Sequence, residues 1–119
     1  MFDSRVLNAG LIAGRPGHSM PERIVTYIHT KTIPDVHDYT TLERETKEWM
    51  HKYVIGAPVD IVRLHVTGLG TALSSFLKMW NLGCLIHPNE MPLLELAHFD
   101  RSGDPAYPYR IQPWDFAFG

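Results

Sequence analysis

Two short stretches gather the residue types that handle phosphate: His65-Val66-Thr67-Gly68-Leu69-Gly70-Thr71 and His98-Phe99-Asp100-Arg101. Glycines at 68 and 70 let the backbone turn sharply and approach a ligand with no side chain in the way. Thr71 is placed to cap a helix, and the free N–H groups of a helix start favour an anion. Arg101 adds a guanidinium, His65 and His98 add imidazoles, Asp100 adds a carboxylate, and His29 closes an earlier apolar run. That mix suits a phosphodiester, with Arg101 and the turn amides holding phosphate while a histidine moves a proton. The blander reading stands beside it: a turn that only packs, a hydrogen-bonded His65, and an Asp100 that only stabilises its own Ser-Gly-Asp-Pro turn.

The elements that position these residues follow from periodicity. Val59 to Val66 reads as a strand, with Val62, Leu64 and Val66 on one face and Arg63 and His65 on the other. A helix follows from about Gly70 to Leu82, with Ala72, Leu73, Phe76, Leu77 and Trp80 at helical spacing and Gly83 as its stop. Met91 to Phe99 is the next strand, carrying Glu95 among apolar neighbours. A strand on each side of a helix predicts a parallel pair joined by a crossover, so His65 and His98 are expected near one sheet edge. Ionisable groups on one sheet face predict that helices cover only the other face, leaving the second wet or against another subunit.

The rest of the chain supplies the frame. Arg23 to His29 is a strand rich in β-branched and aromatic residues, and Thr30 to Tyr39 is a polar loop fit to rim a site. Thr40 to Ile55 is an amphipathic helix with Leu42, Thr46, Trp49, Met50 and Tyr53 on one face. Thr40 with Glu43 fits a capping box, Glu43–Lys47 and Glu48–Lys52 have the favourable four-residue order, and Gly56 and Pro58 end the helix. Tyr107 to Gln112 is a final strand, confined to a sheet edge by Pro108. Trp114, Phe116 and Phe118 are expected to dock on the body. Residues 1 to 20 read either as an extra strand at 6 to 12 followed by an Arg15-Pro16-Gly17-His18 loop, or as an extension ahead of Met20-Pro21-Glu22. The order predicts a single α/β domain over residues 1 to 119, two-layered, Rossmann-like or ferredoxin-like, with a mixed sheet and two main helices.

Composition narrows the function. A chain of 119 residues that is 45% hydrophobic can build a core, and a net charge of -2 argues against duplex DNA as a partner. Cys84 is the only cysteine, so no internal disulfide can form and a reducing compartment is expected. No stretch reaches the ~20 apolar residues of a membrane span. With no secretory signal pattern at the start, the expectation is a cytoplasmic protein with no membrane partner. Seven histidines invite a metal reading, yet none shows metal-ligand spacing, so no metal or other cofactor is expected.

Leu64 to Leu73 and Pro92 to Arg101 resemble the small CRISPR-associated ring nucleases of the Csx type. The turn is also similar to the Thr-Gly-Gly-Thr-Lys-type turn of CRISPR-associated Rossmann-fold sensor domains. The resemblance spans Val59 to about Gly103 and implies a protein that binds cyclic oligoadenylate, a small RNA-like second messenger, at a dimer interface. It implies Thr67, Gly68 and Gly70 as the lining of the phosphate-binding turn, with Asp100 and Arg101 beside the ligand; Leu69, Thr71 and His29 join the ligand-binding candidates by their placement in the turn and at a strand end. His65, His98 and Asp100 are the catalytic candidates for a metal-independent phosphodiesterase. Leu69 stands where the sensor turn has a second adjacent glycine, no lysine follows Thr71, and Ser74 and Ser75 stand where some ring nucleases carry a histidine. These departures bear on catalysis more than on binding. The alternatives are a sensor or sponge that binds without turnover, and a small α/β interaction protein whose glycine turn is structural.

Overall fold

A computed structural model describes residues 5–13, 24–31, 33–66, 70–100 and 102–114. Five strands, β1 (Val6–Ile12), β2 (Thr26–His29), β3 (Ile61–Val66), β4 (Leu93–Phe99) and β5 (Tyr109–Trp114), form one sheet in the order β2-β1-β3-β4-β5. The first four run parallel, and β5 is antiparallel to β4. The domain is therefore a two-layer α/β unit with a mixed sheet and two helices, α1 (Tyr39–Tyr53) and α2 (Gly70–Ile86). Four adjacent strands run parallel, and the strand order reverses between β1, which leads to β2 on one side, and β3, which leads to β4 on the other. Residues 6 to 12, readable as an extension, form a strand inside the sheet.

Both helices cover one face. Val62 and Leu64 of β3, Leu94 and Leu96 of β4, and Ala9 and Leu11 of β1 are buried in one core with Trp49 and Met50 of α1 and Phe76 and Trp80 of α2. The residues between them point the other way. Arg63 pairs with Glu95 at 2.9 Å on that second face, where β3 and β4 are in register. The alternation in the sequence thus corresponds to one helix-covered face and one face with ionisable groups, because successive strand side chains alternate sides.

Helix α1 is capped two residues earlier than the Thr40–Glu43 pattern predicts. Asp38 is its cap, its carboxylate accepting from the Thr41 amide at 3.2 Å and the Thr41 hydroxyl at 2.7 Å. Leu42, Thr46, Trp49 and Met50 form the buried face as expected, and Trp49 Nε1 donates to Thr26 Oγ1 at 3.1 Å, fixing the helix to β2. Glu43 meets Lys78 of α2 at 2.8 Å and Glu48 meets Arg44 at 3.9 Å, in place of the expected lysines at 47 and 52. Exposed pairs of this kind contribute about 0–1 kcal/mol each. Gly56 follows the helix with φ 70°, the left-handed conformation that suits glycine.

Helix α2 runs to Ile86, past the expected stop at Leu82. Gly83 lies inside it, where an added Cβ would sit 2.6 Å from Met50 Cε of α1. The glycine is there for close helix packing, and His87-Pro88 ends the helix instead. Strand β5 begins at Tyr109, two residues later than the alternation predicts, and Trp114 Nε1 reaches Asn81 Oδ1 of α2 at 3.4 Å. Phe116, Phe118 and the Arg15 to His18 loop lie outside the described residues. Among the described residues no helix is long and apolar enough to cross a membrane.

Candidate functional site

A parallel sheet binds ligands beyond the carboxyl ends of its strands, in the crevice where the strand order reverses. Here that crevice lies between β1 and β3, because β1 feeds leftward to β2 while β3 feeds rightward to β4. Helix α2 opens at Gly70, directly after β3, so its unsatisfied N–H groups and partial positive charge fall at the same edge. Thr71 Oγ1, in the first turn of α2, is buried and has no hydrogen-bond partner among the described residues. Thr67, Gly68, Leu69 and Arg101, the other expected phosphate contacts, lie outside the described residues.

His29 ends β2 at this edge and is fully buried, 0% exposed. Its Nδ1 lies 2.9 Å from Glu45 Oε1 of α1, and its Nε2 is buried without a partner among the described residues. Glu45 was not legible as a site residue, because its position on the helix surface reads as a solvated charge.

His65 and His98 are not brought together. Register pairs His65 with Ala97 and Val66 with His98, so the two imidazoles project to opposite faces of the sheet. His65 is 0% exposed on the helix-free face. Its Nδ1 lies 3.2 Å from the Ala9 carbonyl and its Nε2 2.7 Å from Tyr107 Oη. A carbonyl only accepts, so Nδ1 carries the hydrogen and Nε2 accepts from the tyrosine hydroxyl. Tyr107 and Tyr109 meet the imidazole edge-on, at centroid distances of 5.9 Å and 5.1 Å. Burial, with Tyr107 and Tyr27 nearby, pushes the Tyr109 hydroxyl pKa upward, keeping that group neutral. His98 lies on the helix side, partly exposed, with Nε2 2.8 Å from Gln112 Oε1 of β5.

Asp100 follows β4 and is fully occupied. Its Oδ1 accepts from the Ser102 amide at 3.0 Å and the Ser102 hydroxyl at 2.7 Å, while Oδ2 pairs with Arg110 of β5. The Ser102 hydroxyl and amide, with the Arg110 guanidinium, hold its carboxyl below the ordinary range. The turn-forming role of Asp100 is thus present whatever else it does. Arg110 places a second guanidinium near this edge beside the expected Arg101. It was not found in the sequence because its proximity depends on the antiparallel register of β4 and β5.

Among the described residues no group of three or more His, Cys, Asp or Glu side chains is arranged to hold a metal ion. Burial pushes the Cys84 thiol upward, away from a thiolate nucleophile. The edge thus combines the start of α2, the buried Thr71 Oγ1 and His29 Nε2, and the Glu45 carboxylate beside β2. Comparison with protein-family models, curated proteins and solved structures finds no match to this chain.

Proposed function

We propose that this chain is a ring nuclease-like phosphodiesterase that binds and cleaves cyclic oligoadenylate second messengers of type III CRISPR antiviral signalling. It would work in the cytoplasm, as a homodimer, without a metal. The observation that supports this reading is the strand-order switch between β1 and β3, with α2 starting next in the chain after β3 and carrying in its first turn Thr71, whose buried Oγ1 has no partner among the described residues. Such an arrangement favours phosphate. The resemblance of the flanking stretches to ring nucleases supplies the ligand class.

In this reading the ribose 2′-hydroxyl attacks the adjacent phosphorus. The 2′-O–P bond forms, the P–O5′ bond breaks, and the proton leaving the 2′-hydroxyl is matched by one delivered to the 5′-oxygen. Orientation of the 2′-oxygen in line with the leaving oxygen supplies much of the acceleration. Arg101 and the turn amides offset the charge that develops on the phosphorus oxygens. His98 is the partly exposed acid–base candidate, and His65 would act through the Tyr107 hydroxyl that meets its Nε2. A symmetric ring is most simply gripped by a symmetric pair of subunits, each repeating the same contacts.

One observation favours a second reading, a sensor or sponge without turnover. Both ring nitrogens of His65 and both carboxylate oxygens of Asp100 are already engaged. Incubation with cyclic tetra-adenylate and cyclic hexa-adenylate, with and without chelator, separates the readings. Cleavage in both conditions supports the phosphodiesterase, and binding without cleavage supports the sensor. No binding overturns both and leaves a small α/β interaction protein. Light scattering tests the dimer, which a mass near 13.6 kDa with and without ligand would refute.

A further inference from the structure

We propose that the cleft between the 30–38 loop and the first turns of α1 is a nucleoside subsite that takes an adenosine moiety. A sugar hydroxyl or the base amine would donate there to Glu45. The inference deepens the proposed function and rests on it for the identity of the ligand.

The cleft has a volume of about 230 Å³ and opens beside the end of β2, the strand that His29 closes. Ile33, Pro34 and Leu42 give it an apolar wall, and Lys31, Asp38 and Glu45 give it a polar one. Whole small-molecule pockets run to about 300–1,000 Å³, so this cleft suits one nucleoside rather than an entire ring. The apolar wall can lie against a base face, and the carboxylates select what meets the other side. Asp38 is taken up by Thr41, so Glu45 is the carboxylate free to accept from the hydroxyl- or amine-bearing end of a nucleotide, with Lys31 at the rim of the cleft. The nucleotide's phosphate is left for the start of α2.

Geometry links the two. β2 and β3 flank β1, so their ends lie two strand spacings apart, about 10 Å. That is the scale on which one nucleotide separates its phosphate from its base. Glu45 is also held ready. Its Oε1 receives His29 Nδ1 at 2.9 Å, which leaves Oε2 without a protein partner among the described residues. His29, wholly buried behind it, is a positioning residue for that carboxylate.

The test titrates adenosine, which has no phosphate, into the full chain up to the millimolar range while amide resonances are followed by NMR. Cyclic tetra-adenylate is titrated in parallel. Adenosine is expected to shift Lys31, Ile33, Leu42 and Glu45, and Glu45→Gln should weaken both ligands about tenfold, the scale of one hydrogen bond to a charged group. Ile33→Ala, on the opposite wall, should weaken both as well, and it serves if the Glu45 change disturbs His29. Adenosine that shifts none of these residues, or that binds both variants as well as the parent chain, overturns the subsite. Cyclic tetra-adenylate bound with the cleft silent sinks the subsite alone. Adenosine bound in the cleft while cyclic tetra-adenylate is ignored keeps the nucleoside site and sinks the phosphodiesterase reading.

Discussion

Tyr107 Oη lies 2.7 Å from Nε2 of the fully buried His65, joining the loop before β5 to the middle of the sheet. Tyr107→Phe keeps the ring and removes the hydroxyl that donates to His65 Nε2 in the interior. The expected cost is about 1–3 kcal/mol. Denaturant unfolding measures it, and an unchanged midpoint with unchanged slope would show that the bond adds nothing.

Removal of the acid–base group should affect turnover far more than binding. His98→Ala, or His65→Gln if the buried imidazole is the one that acts, is expected to lower cleavage of cyclic tetra-adenylate by about 10²–10⁴. Affinity should change little in the same variant. Full activity in both single variants would rule out a histidine mechanism.

Asp100 carries a pH dependence of definite sign. Its folded-state pKa lies below the ordinary value of 3.8, chiefly through the Ser102 hydroxyl and amide and then Arg110. A depressed carboxylate contributes stability that is fully present above the unfolded pKa and is lost as pH falls through the folded one. Asp100→Asn should therefore be less stable than the parent above about pH 5, with the gap closing as the pH drops below 3.8. Parallel unfolding curves at pH 7 and pH 3 decide the matter, and a gap that widens in acid would contradict the assignment.

Gly10 leaves room for an aromatic ring. A Cβ at that position would lie 2.4 Å from Tyr27 Cε1 and 2.5 Å from Cδ1. A phenol ring cannot yield as a methionine tip can, so Gly10→Ala should push Tyr27 off β1 and cost about 1–3 kcal/mol. Gly83→Ala meets the flexible ends of Met50 and Met91 and gains helix propensity, so it should be milder. Equal thermal midpoints for the two variants would count against this account.

Thr71 separates ligand binding from stability. Its Oγ1 is buried without a partner among the described residues, so Thr71→Val should leave the unliganded fold nearly unchanged. On the proposed reading, affinity for cyclic tetra-adenylate should fall about tenfold, because Thr71 stands in the first turn of the helix proposed to meet phosphate. Gly68→Val should weaken binding by at least as much by obstructing backbone approach. Calorimetry with unaltered affinity and a native circular dichroism spectrum for both variants would defeat the phosphate reading.

Local patterns and the parallel pairing of β3 with β4 were legible in the sequence, and the register between strands was not. The buried face of α1 and the alternation in β3 follow from periods of 3.6 and 2, which any window of the chain displays. Gly83 read as a stop because its reason, the Met50 side chain, belongs to another helix. His65 and His98 both sit next to last in their strands, yet register offsets them by one residue, and one residue reverses the face. Tyr107 and Arg110 depend in the same way on how the chain returns along β4. β1 was ambiguous because Asn8 and Gly10 are poor strand formers, and Gly10 is explained only once the Tyr27 ring is seen against it.

The position of β1 also sets an order of events at the ribosome. β1 lies inside the sheet between β2 and β3 but precedes both in the chain, and Asn8 waits for Arg63 before its second edge can pair. Until the chain has grown past Val66, the nascent protein carries a strand whose β3-side edge has no partner in the chain. Native pairing between segments so far apart closes slowly, and an unpaired edge is open to other chains in the meantime. Refolding from denaturant should therefore be sensitive to protein concentration, with yield falling as concentration rises, in a way that a helical domain of equal length would not show.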